Sequence, residues 1–431
     1  MRMINHLIFT ILLGCFLAGT NVYGQVKIIS LGQVIDSALK HSPISSQRME
    51  INELSALSDK QLKVILYPTI QAGAQASIQS DVTSLPISFP GISIPEMKKD
   101  WYKVNIDLTQ LVYDGGQVKQ ARLVEQTNKQ TRLLEIEQQE NNLREMISKL
   151  FFRAVLLRQQ QKVYASAIRS LEASAEELKI SVKEGIVLAS AMQSLQAEIM
   201  RTKQQMIEAK GSLLSTFTML EGFTKMNISV NDSLLLPGIN DQNLALLQQK
   251  ADWQIIEKQI EKVKIQQQLS VAKRRPSVQA FAQAGYGRPG FNMLDDSFDD
   301  YYMAGLRINY KIWDWKTMHR EQQMLKLNGD ILKKSREAFE ISQGAAFHAK
   351  EAEIAYILQL IETDHEIVRL QEEIIATQKA NLLQGTITSS AYTQEVEKLT
   401  RARIGLETNA IRLINSKAEL MYITGKYAIY E

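Results

Sequence analysis

The chain repeats itself, and that duplication constrains its fold more than any other feature. WYKVNIDLTQLVYDGG begins at Trp101 and YYMAGLRINYKIWDWK at Tyr301, an offset of 200 residues. The same offset carries Tyr113-Asp114 onto Trp313-Asp314, Gly185 onto Gly385 and Ser190-Ala191 onto Ser390-Ala391. Tyr67-Pro68 meets Arg275-Pro276 at a slightly longer offset. Solenoid repeats run to roughly 20–50 residues. Two far longer units in a chain of 431 residues imply a pseudo-symmetric whole with halves at about 28–230 and 240–431.

The first residues set the compartment. Arg2, the apolar run Leu7 to Leu17 and the small residues Ala18 to Gly24 follow the order of a secretory signal peptide. Residues 1–24 are therefore expected to be removed after Gly24, leaving 25–431. The alternative is a lipoprotein signal, with Leu12-Leu13-Gly14 before Cys15. Cys15 is the only cysteine, so the exported chain has no disulfide and no thiolate nucleophile. The formal charge is +3, falling by one without Arg2, a near-balance that argues against a nucleic-acid partner. No later run reaches the roughly 18 apolar residues of a transmembrane helix.

Each half carries two segments of period-2 alternation, expected as strands at about 68–80, 101–114, 276–287 and 302–315. Ile70, Ala72, Ala74, Ala76 and Ile78 alternate with Gln71, Gly73, Gln75, Ser77 and Gln79, and the other three segments read alike. Each has one apolar and one polar face, and the length of about 10 residues suits a tilted membrane strand. Gln71, Gln75, Asn105, Asp107, Gln279, Gln283, Arg307 and Asn309 fall on the polar face, which would line water. A soluble sheet gives the same alternation. The aromatics at strand ends (Trp101, Tyr102, Tyr113, Tyr286, Tyr301, Tyr302, Trp313, Trp315) favour a membrane, where they mark the interfaces. Breaker-rich loops at 81–100 and 288–301 would close the two hairpins outside it.

The remainder reads as helix. Gln117 to Glu184 holds no Pro or Gly, enough for roughly 100 Å at about 1.5 Å per residue. Leu143, Leu150, Leu157, Tyr164, Leu171 and Leu178 recur every seven, with Ile147, Ala154, Ile168, Ala175 and Val182 as a companion series. The second half repeats the seam as Phe347, Ile354, Ile361, Val368, Ile375 and Leu382. Such interleaved heptads form a coiled-coil seam. Both long helices end at a turn, where Gly185 and Gly385 fit C-caps and Ser190 and Ser390 fit the next N-caps. Helices then return to about 220 and 423, and further helices are expected at roughly 31–66 and 243–274.

This order resembles the TolC family of outer-membrane efflux proteins over essentially all of residues 28–425. The likeness rests on Leu31 to Leu39 with Ser42-Pro43, on Tyr67-Pro68, and on Val112-Tyr113-Asp114-Gly115-Gly116 with Ile312-Trp313-Asp314. The stretch Ser190 to Glu198 is similar to the family's S-x-x-D-x-L-x-A-E. The resemblance implies a mainly α protein with β, in which duplicated coiled-coil hairpins form an α-barrel tunnel in the periplasm. Four transmembrane strands per chain would complete a 12-stranded β-barrel in the outer membrane of a homotrimer. It further implies a periplasmic adaptor (membrane fusion) protein, an inner-membrane transporter beyond it, and passive exit of a tripartite pump's substrates. The Gly-to-Ser spacing at the turns is two residues longer than the family's.

The turns are the candidate adaptor contact, through Gly185, Ile186, Val187, Leu188, Ser190, Gly385, Ile387 and Ser390. Where the family carries an acidic residue beyond the turn this chain has Gln193 and Thr393. With Glu395 and Glu397 these form the candidate constriction, and Glu198 is a further acid nearby. No catalytic, cofactor or metal residues are expected: the histidines His41, His319, His348 and His365 are scattered, with no HExxH and no phosphate loop. Alternatives are the duct of a type I protein secretion system and, of another class, a soluble periplasmic coiled-coil scaffold. Cargo is not legible.

Overall fold

A computed structural model describes residues 27–83, 97–239 and 247–427. The expected signal peptide with Cys15, and most of the first hairpin loop, lie outside the described residues. The chain divides into two compact units, one of residues 44–139 and 247–343, the other of 1–43, 140–246 and 344–431.

The first unit contains a four-stranded antiparallel sheet of β2 (Thr69–Ile78), β3 (Asp100–Tyr113), β5 (Ser277–Arg288) and β6 (Asp299–Asn309), in the order β2-β3-β5-β6. Each half-chain thus supplies one hairpin, and β3 pairs with β5 to join them. The register puts Ala72, Ile106, Ala284 and Tyr302 side by side, and one residue along, Gln71, Asp107, Gln283 and Met303. Period-2 alternation therefore becomes one apolar and one mostly polar face. A bulge at Leu111/Tyr113 breaks that parity and sets Tyr113 opposite Val278. The apolar face is bare: Ile70, Leu306 and Ile308 are 71, 71 and 69 % exposed.

The fourth strand ends at Asn309, short of the expected 315. Its partner runs out there, because Asn309 pairs with Ser277 and the preceding Pro276 has no N–H to give a ladder. The expected helix at 31–66 is two helices, α1 (Leu31–His41) and α2 (Pro43–Val64). Pro43 keeps Ser42 extended, with ψ 127°. The expected helix from 243 begins in earnest only as α5 (Ala251–Ala272), after a short 3-10 turn at Leu247–Gln249; 243–246 are outside the described residues.

The two long helices, α3 (Gln117–Lys183) and α6 (Thr317–Leu383), have 67 residues each and bounds 200 residues apart. In the sheet-bearing unit α2 is tied to α3 through Asp59 and Arg122 at 2.5 Å. There α5 is tied to α6 through Glu257–Arg336 and Trp253–Glu340, each 2.8 Å. Arg122, then Lys63, holds the Asp59 carboxyl down at about 2.

The second unit packs α1, the later part of α3, α4 (Ala189–Thr224), the later part of α6 and α7 (Ser389–Ile423). A three-residue parallel pair, β1 (Ile28–Ser30) with β4 (Ser233–Leu235), adjoins them. α1 opens with a Ser30/Gln33 capping box and buries Leu31, Val34, Ile35 and Ala38. These join Ile147, Phe151, Leu213, Phe217 and Met421 in one core. A second core nearer the turns holds Leu171, Leu178, Leu195, Ile199, Leu382, Tyr392 and Val396. The first heptad series is thus largely core, whereas of the second only Leu382 is fully buried and Phe347, Ile354, Ile361, Val368 and Ile375 are half-buried.

Candidate functional site

The two turns fold alike and meet. At the end of α3, Gly185 N donates to Val182 O at 3.1 Å and Ile186 N to Ser181 O at 2.9 Å. At the end of α6, Gly385 N donates to Leu382 O at 3.1 Å and Thr386 N to Asn381 O at 3.0 Å. This Schellman pattern needs a left-handed residue, and φ is 74° at Gly185 and 70° at Gly385. The environments differ. A Cβ on Gly385 would stand 3.1 Å from the Ile186 carbonyl, whereas one on Gly185 meets nothing within 4 Å.

Between the turns lies a cleft of about 390 Å³ lined by Ile186, Val187, Leu188, Ser190, Gly385, Ile387 and Ser390. Seven of the eight sequence-predicted contact residues are thereby brought together; Gly185 stands outside the lining. Ile186 and Leu188 are exposed, at 53 and 77 %, while Val187 and Ile387 pack on the second core. Thr386, Thr388 and Ser389 also line the cleft and were missed. Ser190 and Ser390 are not the N-caps: the helices begin a residue earlier, at Ala189 and Ser389. Leu188 takes the cap position of α4 without a side-chain bond, and Thr388 caps α7, accepting from Ala391 N at 3.2 Å. Thr388 is a capping residue type directly before the helix, a signal present in the sequence.

The four constriction residues are not a set of free acids. Gln193 is exposed, and Thr393 donates its hydroxyl to Ser390 O at 3.1 Å. Lys398 at 2.8 Å and Gln371 at 2.6 Å hold Glu395 below the usual carboxylate range. Glu397 is paired with Arg401 one turn along its own helix. Glu198 is buried and bonded to Arg201 at 2.7 Å. Burial raises its pKa, the Arg201 charge and bond oppose this, and the Glu397 charge adds to the rise.

All eight polar-face residues of the strands share one face. Gln71, Asp107 and Gln283 are cross-strand neighbours, as are Gln279 and Arg307. Asp107 accepts from Gln283 Nε2 at 2.6 Å and from Asn105, so amides blunt its charge. Arg307 stacks over the Phe281 ring at 5.2 Å. Phe281, Tyr301 and Met303 lie on this same face, less polar than the alternation alone conveys.

Both strand-to-helix corners are capped by the aspartate after the aromatic residue. Asp114 accepts from Gly116 N at 2.8 Å and Val118 N at 2.6 Å, and Asp314 from Met318 N at 3.2 Å. Gly115 and Gly116 have φ 70° and 88°; in the second half Trp315 and Lys316 adopt φ 53° and 61° in their stead. A bulky residue held there costs on the order of 1–3 kcal/mol. Among the described residues no helix is long and apolar enough to cross a membrane and no acidic or histidine cluster could hold a metal.

Residues 34–223 match the family model described as outer membrane efflux protein. The fold is similar to that of CusC, with a TM-score of 0.75 at 11 % identity over 92 % of each chain. It is also similar to the outer membrane protein VceC of Vibrio cholerae, with a TM-score of 0.71 at 14 % identity over 92 % of this chain and 96 % of that one. For the CmeC outer membrane channel of Campylobacter jejuni the values are 0.70 and 13 %, over 93 and 86 %. No curated protein sequence matches the chain. The family model covers less than half of the chain, while the solved channels share its fold over more than nine-tenths of it.

Proposed function

We propose that three copies of this chain form the exit duct of a tripartite efflux pump. The observation that carries this is a four-stranded sheet with a bare apolar face and two edges, β2 and β6, that are unpaired among the described residues. Single-chain membrane barrels begin at about 8 strands, and an open edge in lipid leaves backbone groups unsatisfied. Closure with further copies removes both defects. Exposed seams on the helices support this: Met200, Ile207 and Leu214 on α4, and Leu360, Ile367 and Ile374 on α6, each recur every seven residues. A soluble scaffold leaves the apolar sheet face unexplained.

In this reading the barrel spans the outer membrane with Gln71, Gln75, Asn105, Asp107, Gln279, Gln283, Arg307 and Asn309 toward its water-filled lumen. The hairpins α3–α4 and α6–α7 form the tunnel in the periplasm. Gln193, Thr393, Glu395 and Glu397 line its constriction, their charge muted by Lys398 and Arg401. The cleft between the turns receives a periplasmic adaptor, and through it an inner-membrane transporter hands over substrates that leave passively. The cleft suits an apolar partner, being lined by aliphatic and hydroxyl side chains and no charge.

Ile186→Asp and Leu188→Asp test the docking. Both side chains are exposed, so trimer yield and thermal stability should stay unchanged while adaptor crosslinking and efflux are lost. Normal crosslinking and efflux in both variants would reject the turns as the docking surface.

A further inference from the structure

The second strand-to-helix corner keeps a tryptophan and a lysine in the backbone conformation that the first gives to two glycines. What stands there is a surface. Trp313 and Trp315 are 68 and 77 % exposed and meet edge to face at 5.8 Å, beside exposed Tyr310 and Ile312. Arg320 donates to the Trp315 carbonyl at 2.8 Å and so fixes the corner. The patch continues the bare apolar face of β6, since Leu306 and Ile308 lead directly into it.

The charge around it has one sign. Lys311 and Lys316 flank the tryptophans. Ser277 pairs with Asn309, so the junction before β5, with Lys273, Arg274 and Arg275, leaves the sheet at the same end. The carboxylates at that end are engaged: Asp114 and Asp314 cap helices, and Glu321 accepts from Ser270 at 2.7 Å with Lys273 at 3.9 Å. The opposite end of the sheet carries Asp100, Asp296, Asp299 and Asp300.

We propose that this corner anchors the chain to anionic phospholipid headgroups at the helix-side boundary of the membrane. Indole rings favour the boundary between acyl chains and headgroups, where the ring is dry and its N–H is wet. Lysines and arginines beside it meet headgroup phosphate. The bent backbone at Trp315 and Lys316 turns both side chains outward, which a helix begun directly after Asp314 would not do. This assignment rests on the outer-membrane reading and adds to it a specific anchor and a lipid class.

The test uses the full chain reconstituted in vesicles of phosphatidylcholine, with and without phosphatidylglycerol, in a Trp101→Phe, Trp253→Phe background that leaves Trp313 and Trp315 as reporters. Lipids brominated high on the acyl chain should quench them more than lipids brominated deep. Quenching should increase with phosphatidylglycerol and lose that increase at high salt. Trp315→Gly with Lys316→Gly should keep or raise thermal stability in detergent and abolish the phosphatidylglycerol dependence of insertion. A Val104→Trp reporter on the apolar face separates the failures. If it escapes deep quenchers, the membrane reading itself falls. If it is quenched while Trp313 and Trp315 are not, the anchor alone is rejected and a second copy covers the corner. Equal quenching with and without phosphatidylglycerol rejects the headgroup assignment.

Discussion

The hydroxyl of Tyr392 lies 2.9 Å from Oγ of Ser174, a contact across 218 residues that joins α7 to α3 inside the second core. Both side chains are buried, Tyr392 completely. Ser148 and Tyr422 repeat the arrangement at 2.6 Å in the first core. Two buried hydroxyl pairs therefore fix the register of α7 along α3 at two heights, where apolar packing alone would tolerate sliding. Tyr392→Phe should cost about 1 kcal/mol, the net worth of one hydrogen bond. Tyr392→Ala should cost roughly 3–5 kcal/mol from the added cavity. Thermal unfolding of the two variants checks the order; equal losses would mean that the ring, not the bond, is dispensable.

The two turns should respond unequally to the same change. Gly185→Ala carries only the left-handed backbone penalty, about 1 kcal/mol. Gly385→Ala should lose more, because the new methyl must push aside the Ile186 carbonyl at 3.1 Å. Thermal melts of the pair decide it, and matching losses would show that the turns do not press on each other in solution.

On the sheet, Ile106 sits in the middle of the apolar face, level with Ala72 and Ala284, and Gln71 lies on the opposite face. Ile106→Arg should destabilise the membrane-inserted form by roughly 2–4 kcal/mol, and Gln71→Arg should be close to neutral. Yield of assembled protein in membranes reads the difference. The reverse order would exchange the lipid and lumen faces.

Glu198 predicts a pH signature. Its folded-state pKa is raised above the ordinary value near 4.5, chiefly by burial. The folded chain then holds that proton more tightly than the unfolded one. Stability is reduced while the carboxyl is ionised and is regained as pH falls through the folded pKa toward the ordinary value. Melting temperatures of wild type and Glu198→Gln should accordingly converge or cross in favour of wild type on acidification through the raised pKa of Glu198. Parallel pH profiles would show that the burial does not act on this group.

Much of this was legible in the residues, for reasons specific to each element. The long helices showed because heptad seams such as Leu171 and Leu178 persist where no Pro or Gly interrupts α3. The strand faces showed because a pleat alternates with period 2 and the register keeps Gln71, Asp107 and Gln283 in line. What was not legible depends on distant partners. β1 and β4 are three residues each, and Ile28 finds Ser233 only in the fold. The end of β6 at Asn309 is set by Pro276 on the neighbouring strand. At the candidate site, the turn residues were visible through Gly185 and Gly385, and Lys398 and Arg401 stand one turn along the same helix from Glu395 and Glu397; the bond from Gln371 of α6 to Glu395 appears only in the fold.

The central claim is that the edges β2 and β6 are completed by other copies of the chain. These strands lie three strand spacings apart, roughly 14 Å at about 4.8 Å each, too far for a disulfide within one chain. The exported chain is expected to carry no native cysteine, so Ile70→Cys combined in turn with Ala304→Cys, Leu306→Cys or Ile308→Cys reports only contacts between chains. Oxidation of one of these pairs in intact outer membranes should give a covalent ladder that stops at three chains. Monomers from every pair, with the protein still inserted in the membrane, would contradict the account.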